Sequence, residues 1–202
     1  MTCEDAVKKL REAFPDSIHE ETQFRGETSL RIAKSSLRDI CLHARDRMGF
    51  DYLVDVSSVD HFGQEPRYEM VYELYSLRNE FHLRLKTEVS EDDNTAPTVS
   101  DIWPTADWHE REVYDLMGIR FIDHPDLRRI LMWEGYPYHP LRKDFPLEGK
   151  TTEMPGVAFS EPAPLAGGPF VTIPTDGTTQ VREPRARLAG ETPSPEKFLA
   201  EP

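Results

Sequence analysis

The sequence predicts an α+β fold: a small, mostly antiparallel sheet with helices packed on one face, then a long ordered loop region and an extended C-terminal tail. Three observations predict it. Residues 81–89 alternate cleanly, with Phe81, Leu83, Leu85, Thr87 and Val89 inward and His82, Arg84, Lys86 and Glu88 outward. Such alternation means one wet face, the habit of an antiparallel sheet. Residues 2–14 and 36–48 carry apolar side chains at helical spacing instead. From Gly149 to Pro202 about half of the chain's 17 prolines gather and periodicity disappears.

The first helix begins with Thr2 and Asp5 as a capping-box pair, shows Ala6, Val7, Leu10 and Phe14 as an apolar stripe, and ends at Pro15-Asp16. Ile18–Phe24 reads as a weak strand, Gly26 as a turn and Ser29–Ala33 as a second short strand. In the second helix Leu37, Ile40, Cys41, Ala44 and Met48 share a face, and Gly49 closes it. Tyr52–Val59 is apolar enough to be a central strand. Tyr68–Leu77 places Met70, Tyr72 and Leu74 on one side, and Arg78-Asn79-Glu80 is short enough for a hairpin to the 81–89 strand. Residues 91–97 read as an acidic surface loop, and Ser100–Trp103 as a single helical turn before Pro104. Helices on one face of such a sheet complete a two-layer domain over residues 1–148. The tail, 149–202, cannot bury enough apolar surface to offset its ordering entropy and is expected to be extended or disordered.

The densest mixture of charge and aromatics lies between Trp108 and Leu147. Thr105–Met117 is a helix stopped by Gly118; beyond it the chain reads as ordered loop with short extended pieces. Arg111 and Asp115 are four apart and can pair. Glu110 shares a face with Tyr114 and Met117, so its carboxylate needs a cation or several donors. Arg128, Arg129, Arg142 and Lys143 follow within reach, and an ion network pinning the loop to the helix is expected. Phe121, Trp133, Tyr136, Tyr138 and Phe145 accompany these cations. Aromatics with arginine and few aliphatics suit the core of a protein interface; a loop packed on its own domain is the alternative.

Composition narrows the function. A net charge of −13 disfavours nucleic acid and anionic lipid, and no apolar run reaches the ~20 residues that span a bilayer. Direct membrane insertion is therefore not expected, and the start lacks a signal peptide's apolar core, which suggests the cytoplasm. Two cysteines, Cys3 and Cys41, cannot supply the four thiolates of an iron–sulfur cluster and read as reduced, structural thiols. His109-Glu110-Arg111-Glu112-Val113 starts like a zinc-protease motif but ends in Val. His124-Pro125-Asp126 reads as a turn orienting the loop. Nucleophile-elbow, Walker and dinucleotide-binding patterns are absent from the sequence.

The run Glu110-Arg111-Glu112, Asp115-Leu116-Met117, His124 and Arg128 with Ile130-Leu131 resembles the signature of the 30 kDa subunit family of respiratory complex I, the C-type subunit of bacterial proton-pumping NADH:quinone oxidoreductases. Pro140 to Leu147 resembles the family's second block, and the likeness spans about Asp51 to Lys150. The resemblance implies a cofactor-free structural subunit of the peripheral arm, on the cytoplasmic side of the membrane and attached through partners. The partners it implies are the 49 kDa-type chain, near the quinone site, and other peripheral-arm subunits, with FMN and iron–sulfur clusters held outside this chain. It assigns structural and interfacial roles, not catalytic or metal-binding ones, to Glu110, Arg111, Glu112, Asp115, His124, Arg128, Arg142, Lys143 and Asp144; Arg129 joins them through the aromatic–arginine cluster. Two rivals stand beside it. One is the equivalent subunit of a membrane-bound hydrogenase or other non-NADH relative. The other is a stand-alone hydrolase using Glu110 or Glu112 as base.

Overall fold

The structure is a computed structural model that describes residues 2–147 and Gly149. The first helix, α1 (Cys3–Ala13), starts on a complete capping box: the Thr2 hydroxyl receives the Asp5 N–H, and the Asp5 carboxylate receives that of Thr2. Strands β1 (Ile18–Phe24) and β2 (Glu27–Ile32) form a hairpin through Arg25 and Gly26. A 3₁₀ turn over Lys34–Ser36 leads into α2 (Leu37–Met48), which Gly49 ends in the left-handed conformation. Strands β3 (Tyr52–Asp60), β4 (Tyr68–Ser76) and β5 (Phe81–Val89) follow as an antiparallel meander.

The five strands lie in the order β1-β2-β5-β4-β3, antiparallel except where β2 meets β5. Met70, Tyr72, Leu74, Leu83, Leu85 and Val89 point into one core with Leu37, Ile40, Cys41 and Ala44 of α2. The other face is a ladder of charges: Lys86 Nζ stands 2.8 Å from Glu69, and Arg84 Nε 2.8 Å from Glu73. His82, Arg84, Lys86 and Glu88 thus face away from the core, as the alternation required.

Two expectations are corrected here. The Tyr52–Val59 segment is not central but forms β3 at the sheet edge. Apolar content reports burial of a face, not rank in the hydrogen-bond order. The centre belongs to the more charged β5, whose cations meet carboxylates of its neighbours on the open face. The 91–97 segment is not all surface loop. Thr95–Pro97 is a strand, β6, paired parallel with β7 (Arg120–Ile122), with Ala96 and Phe121 buried. Three residues are too few to show a period. Between β6 and the last helix, the Ile102 and Trp103 N–H groups both return to Val99 O, giving the expected turn. The last helix, α3 (Ala106–Met117), packs over β3. The expected tail falls outside the described residues, apart from Gly149.

Candidate functional site

A helix ends with four carbonyls that its own N–H groups cannot reach. In α3 these belong to Tyr114, Asp115, Leu116 and Met117, and the following loop satisfies all four. Gly118 N–H bonds Tyr114 O, and Leu141 N–H bonds Leu116 O. Arg129 Nη1 and His139 Nδ1 both lie 3.0 Å from Asp115 O, while Arg142 Nε donates to Met117 O at 2.7 Å. Three cationic or imidazole side chains at the negative end of the helix also complement its dipole. Because a carbonyl only accepts, His139 carries its proton on Nδ1; burial holds its pKa below the usual histidine range. Gly118 makes this closure possible. At φ +77° it has the left-handed conformation, and a Cβ there would sit 2.6 Å from both Arg142 Nη2 and the His139 ring.

Asp115 is fully buried. Its carboxylate accepts the N–H groups of Ile130, Leu131 and Met132 at 3.1, 2.7 and 2.8 Å and pairs with Arg129 Nη1 at 2.6 Å. Burial alone would raise its pKa, but the three N–H groups and the guanidinium outweigh it and hold the carboxyl below its ordinary value. The expected Arg111–Asp115 pair does not form. Asp115 turns to Arg129, while Arg111 stacks over Trp108 at 5.0 Å and donates to Arg128 O. Helical spacing permits a pair, but three converging backbone donors plus a guanidinium form a better site.

Glu110, earlier on the same helix, is also fully buried. It accepts the Thr98 hydroxyl and, at 2.7 Å, the Val99 N–H. Of the cation or several donors that its position demanded, it takes donors. Burial dominates here and pushes its carboxyl up to about 7, the two hydrogen bonds opposing and Asp107 and Asp101 adding to the rise. His124, its side chain also fully buried, accepts the Asp126 N–H on Nδ1, so its proton sits on Nε2, 3.3 Å from Asp107 O and 3.8 Å from Glu110 Oε2. His124 thereby ties the turn before the loop to the start of α3.

The second block is tied to the sheet by residues that sequence reasoning missed. Arg67 is 4% exposed and forms a two-pronged pair with Asp60 at 2.9 and 3.0 Å. Arg67 also reaches Asp144, and Asp60 accepts the Lys143 N–H at 2.8 Å. The only sequence signal was an acid and a base bracketing the β3–β4 connection, which surface charges imitate everywhere. Thr98 was equally silent, since its value lies in contacts made across the chain.

The structure therefore brings Glu110, Arg111, Asp115, His124, Arg129 and Arg142 onto one helix and its loop. Lys143 and Asp144 sit at the β3–β4 connection, and Glu112 is exposed. Arg128 is 71% exposed, paired with Asp126. Of the aromatics, Phe121 and Tyr136 are buried in this chain, and Tyr136 lies between Trp133, tilted at 4.4 Å, and Tyr138, edge-on at 5.6 Å. Trp108, Leu131 and Leu141 are exposed.

Residues 30–151 match the family model described as the respiratory-chain NADH dehydrogenase 30 Kd subunit. The C subunit of NADH-quinone oxidoreductase from Geobacter sulfurreducens is 48% identical over 149 residues, 73% of this chain and 92% of that protein. Its counterpart from Geotalea uraniireducens is 47% identical over 148 residues, 73% of this chain and 90% of that protein. Among solved structures, a trypsin-resistant fragment of Nqo5 superposes with a TM-score of 0.56 at 31% identity, covering 63% of this chain and 100% of the fragment. A chain of the membrane-bound sulfane sulfur reductase, an archaeal respiratory membrane complex, gives 0.62 at 28% identity, covering 71% of this chain and 85% of that one. With its two motif blocks folded together on α3, the chain belongs to the respiratory-chain NADH dehydrogenase 30 Kd subunit family, the family of the NADH-quinone oxidoreductase C subunits.

Proposed function

We propose that this chain is a cofactor-free scaffold subunit of a proton-pumping NADH:quinone oxidoreductase. It docks the 49 kDa-type chain near the quinone site, on the cytoplasmic side of the membrane, while FMN and iron–sulfur clusters reside in other subunits. The observation that carries this reading is the family match over residues 30–151, with relatives near half identical across nine-tenths of their own length. The geometry supports a scaffold. The loop satisfies the end of α3 and is pinned at Asp115 and Arg67, so it is pre-organised before any partner arrives. Trp108, stacked by Arg111, and the exposed Leu131, Leu141 and Arg128 supply aromatic, aliphatic and cationic anchors of the kind interfaces use. The described part of the chain has no helix long and apolar enough to cross a membrane; attachment through partner subunits is part of this reading.

The likeness to a chain of the archaeal sulfane sulfur reductase supports a second reading, in which the same scaffold serves a complex with another electron donor. Affinity purification of the tagged chain from gently solubilised membranes, with mass spectrometry of its companions, separates the two. Flavin and cluster subunits with NADH:quinone activity are expected. A different large subunit without NADH-binding partners transfers the scaffold to the second complex, and a chain recovered alone overturns both.

A further inference from the structure

Glu110 is a buried acid that a scaffold does not need. Among the described residues no Lys or Arg pairs with it, and the His124 ring, whose Nδ1 accepts the Asp126 N–H, approaches only to 3.8 Å. The groups facing it are otherwise acidic or neutral. Asp107 on α3 and Asp101 in the preceding turn add negative charge. Cys41 from α2 and Tyr72 from β4 face it as fully buried neutral groups, both with pKa values raised by burial. The Tyr72 hydroxyl is buried without a hydrogen-bond partner. An unpaired carboxylate in such surroundings is costly, and the ordinary outcome is that it takes up a proton.

The hydrogen bonds around it accommodate either state. Thr98 Oγ1 bonds Glu110 Oε2 on one side, stands 2.8 Å from Ser100 Oγ on the other, and accepts the Ser100 N–H at 3.2 Å. With Glu110 charged, Thr98 donates to it and accepts from the Ser100 hydroxyl. With Glu110 protonated, Glu110 donates to Thr98, which donates in turn to Ser100. Glu110 and Thr98 keep their donors satisfied in both arrangements, and in the second the Ser100 hydroxyl is released toward solvent. Thr98 and Ser100 also line a surface cleft of about 440 Å³ with Arg38, Asp101, Asp123 and Pro125.

We propose that Glu110 is a proton-binding site: in the folded chain it holds a proton that exchanges with solvent through the Thr98 and Ser100 hydroxyls beside this cleft. On uptake, a hydronium ion in the cleft gives a proton to Ser100 Oγ and is left as water. Ser100 passes its own to Thr98, and Thr98 passes its own to Glu110 Oε2. Each hydroxyl gains one proton and loses one, so the net change is one proton moved from solvent to Glu110. Acid and hydroxyls belong to this chain, so the site stands whichever complex the chain joins.

Infrared spectroscopy of the full chain tests it. The carbonyl stretch of a protonated carboxylic acid is expected at pH 6, lost with a midpoint near 7 and missing in Glu110→Gln. Exchange of that proton for deuterium should slow at least roughly tenfold in Ser100→Ala, as for loss of a positioned proton-transfer group, and keep the wild-type rate in Thr98→Ser. A wild-type chain without the band at pH 6 overturns the site. Equal exchange in Ser100→Ala overturns the relay.

Discussion

The two halves of α3 each bury a carboxylate completely, and they treat it in opposite ways. At the C-terminal end Asp115 meets a guanidinium and three backbone N–H groups, so its charge is fixed and carries the loop. At the N-terminal half Glu110 meets one hydroxyl and one N–H among neutral and acidic neighbours, so its charge is unwelcome. Burial is the same in both places. The number and sign of the donors decide which acid is an anchor and which holds a proton.

The largest effect is expected from removing the anchor. Asp115→Ala takes the carboxylate from Arg129, strands three N–H groups and should cost about 3–5 kcal/mol in denaturant unfolding at pH 7. A loss under 1 kcal/mol would equate the two ends of the helix. The second variant acts in the opposite direction. Glu110→Gln copies the protonated acid, its amide reaching Thr98. The folded pKa of Glu110 is raised, so its contribution is fully present below the unfolded value and lost as pH rises through about 7. Wild type and variant should be similar near pH 4.5, and the variant more stable by about 3 kcal/mol at pH 8. Asp115 has the reverse sign: its stability is present above the unfolded pKa and lost as pH falls through the depressed folded value.

Smaller still is Gly118→Ala, which adds a Cβ against Arg142 and His139 at a left-handed residue. About 2 kcal/mol should be lost in thermal unfolding, with faster hydrogen exchange at the Leu141 amide. Unchanged exchange there would detach the loop closure from the glycine. Trp108→Ala is at the bottom of the scale, within about 0.5 kcal/mol of wild type because the ring is exposed. It should nevertheless weaken recovery of the partner subunits; full recovery would move the docking surface elsewhere.

What was legible in the sequence follows the same contrast. Helices and strands longer than six residues announced themselves, because periodicity reports which face is buried. Gly118 and Gly49 marked helix ends by their freedom to turn left-handed. Glu110 could be placed beside apolar neighbours from its spacing alone, and the need for donors followed from physics. Which donors came was not legible: Thr98 and Val99 arrive from the segment after β6, and Asp115's partners from fifteen residues downstream. Arg111 at i−4 was the nearer candidate and lost to them. The edge position of β3 was hidden for the same reason, because strand order is a property of pairing and composition is not.

A ¹³C titration of the side-chain carboxyls in the folded chain tests the contrast most directly. One fully buried acid should titrate near 7 and disappear from the spectrum of Glu110→Gln, while Asp115 stays ionised to below its ordinary value. If both carboxyls titrate together in the ordinary acid range, donor count does not set their charge, and the division of α3 into an anchor and a proton holder is wrong.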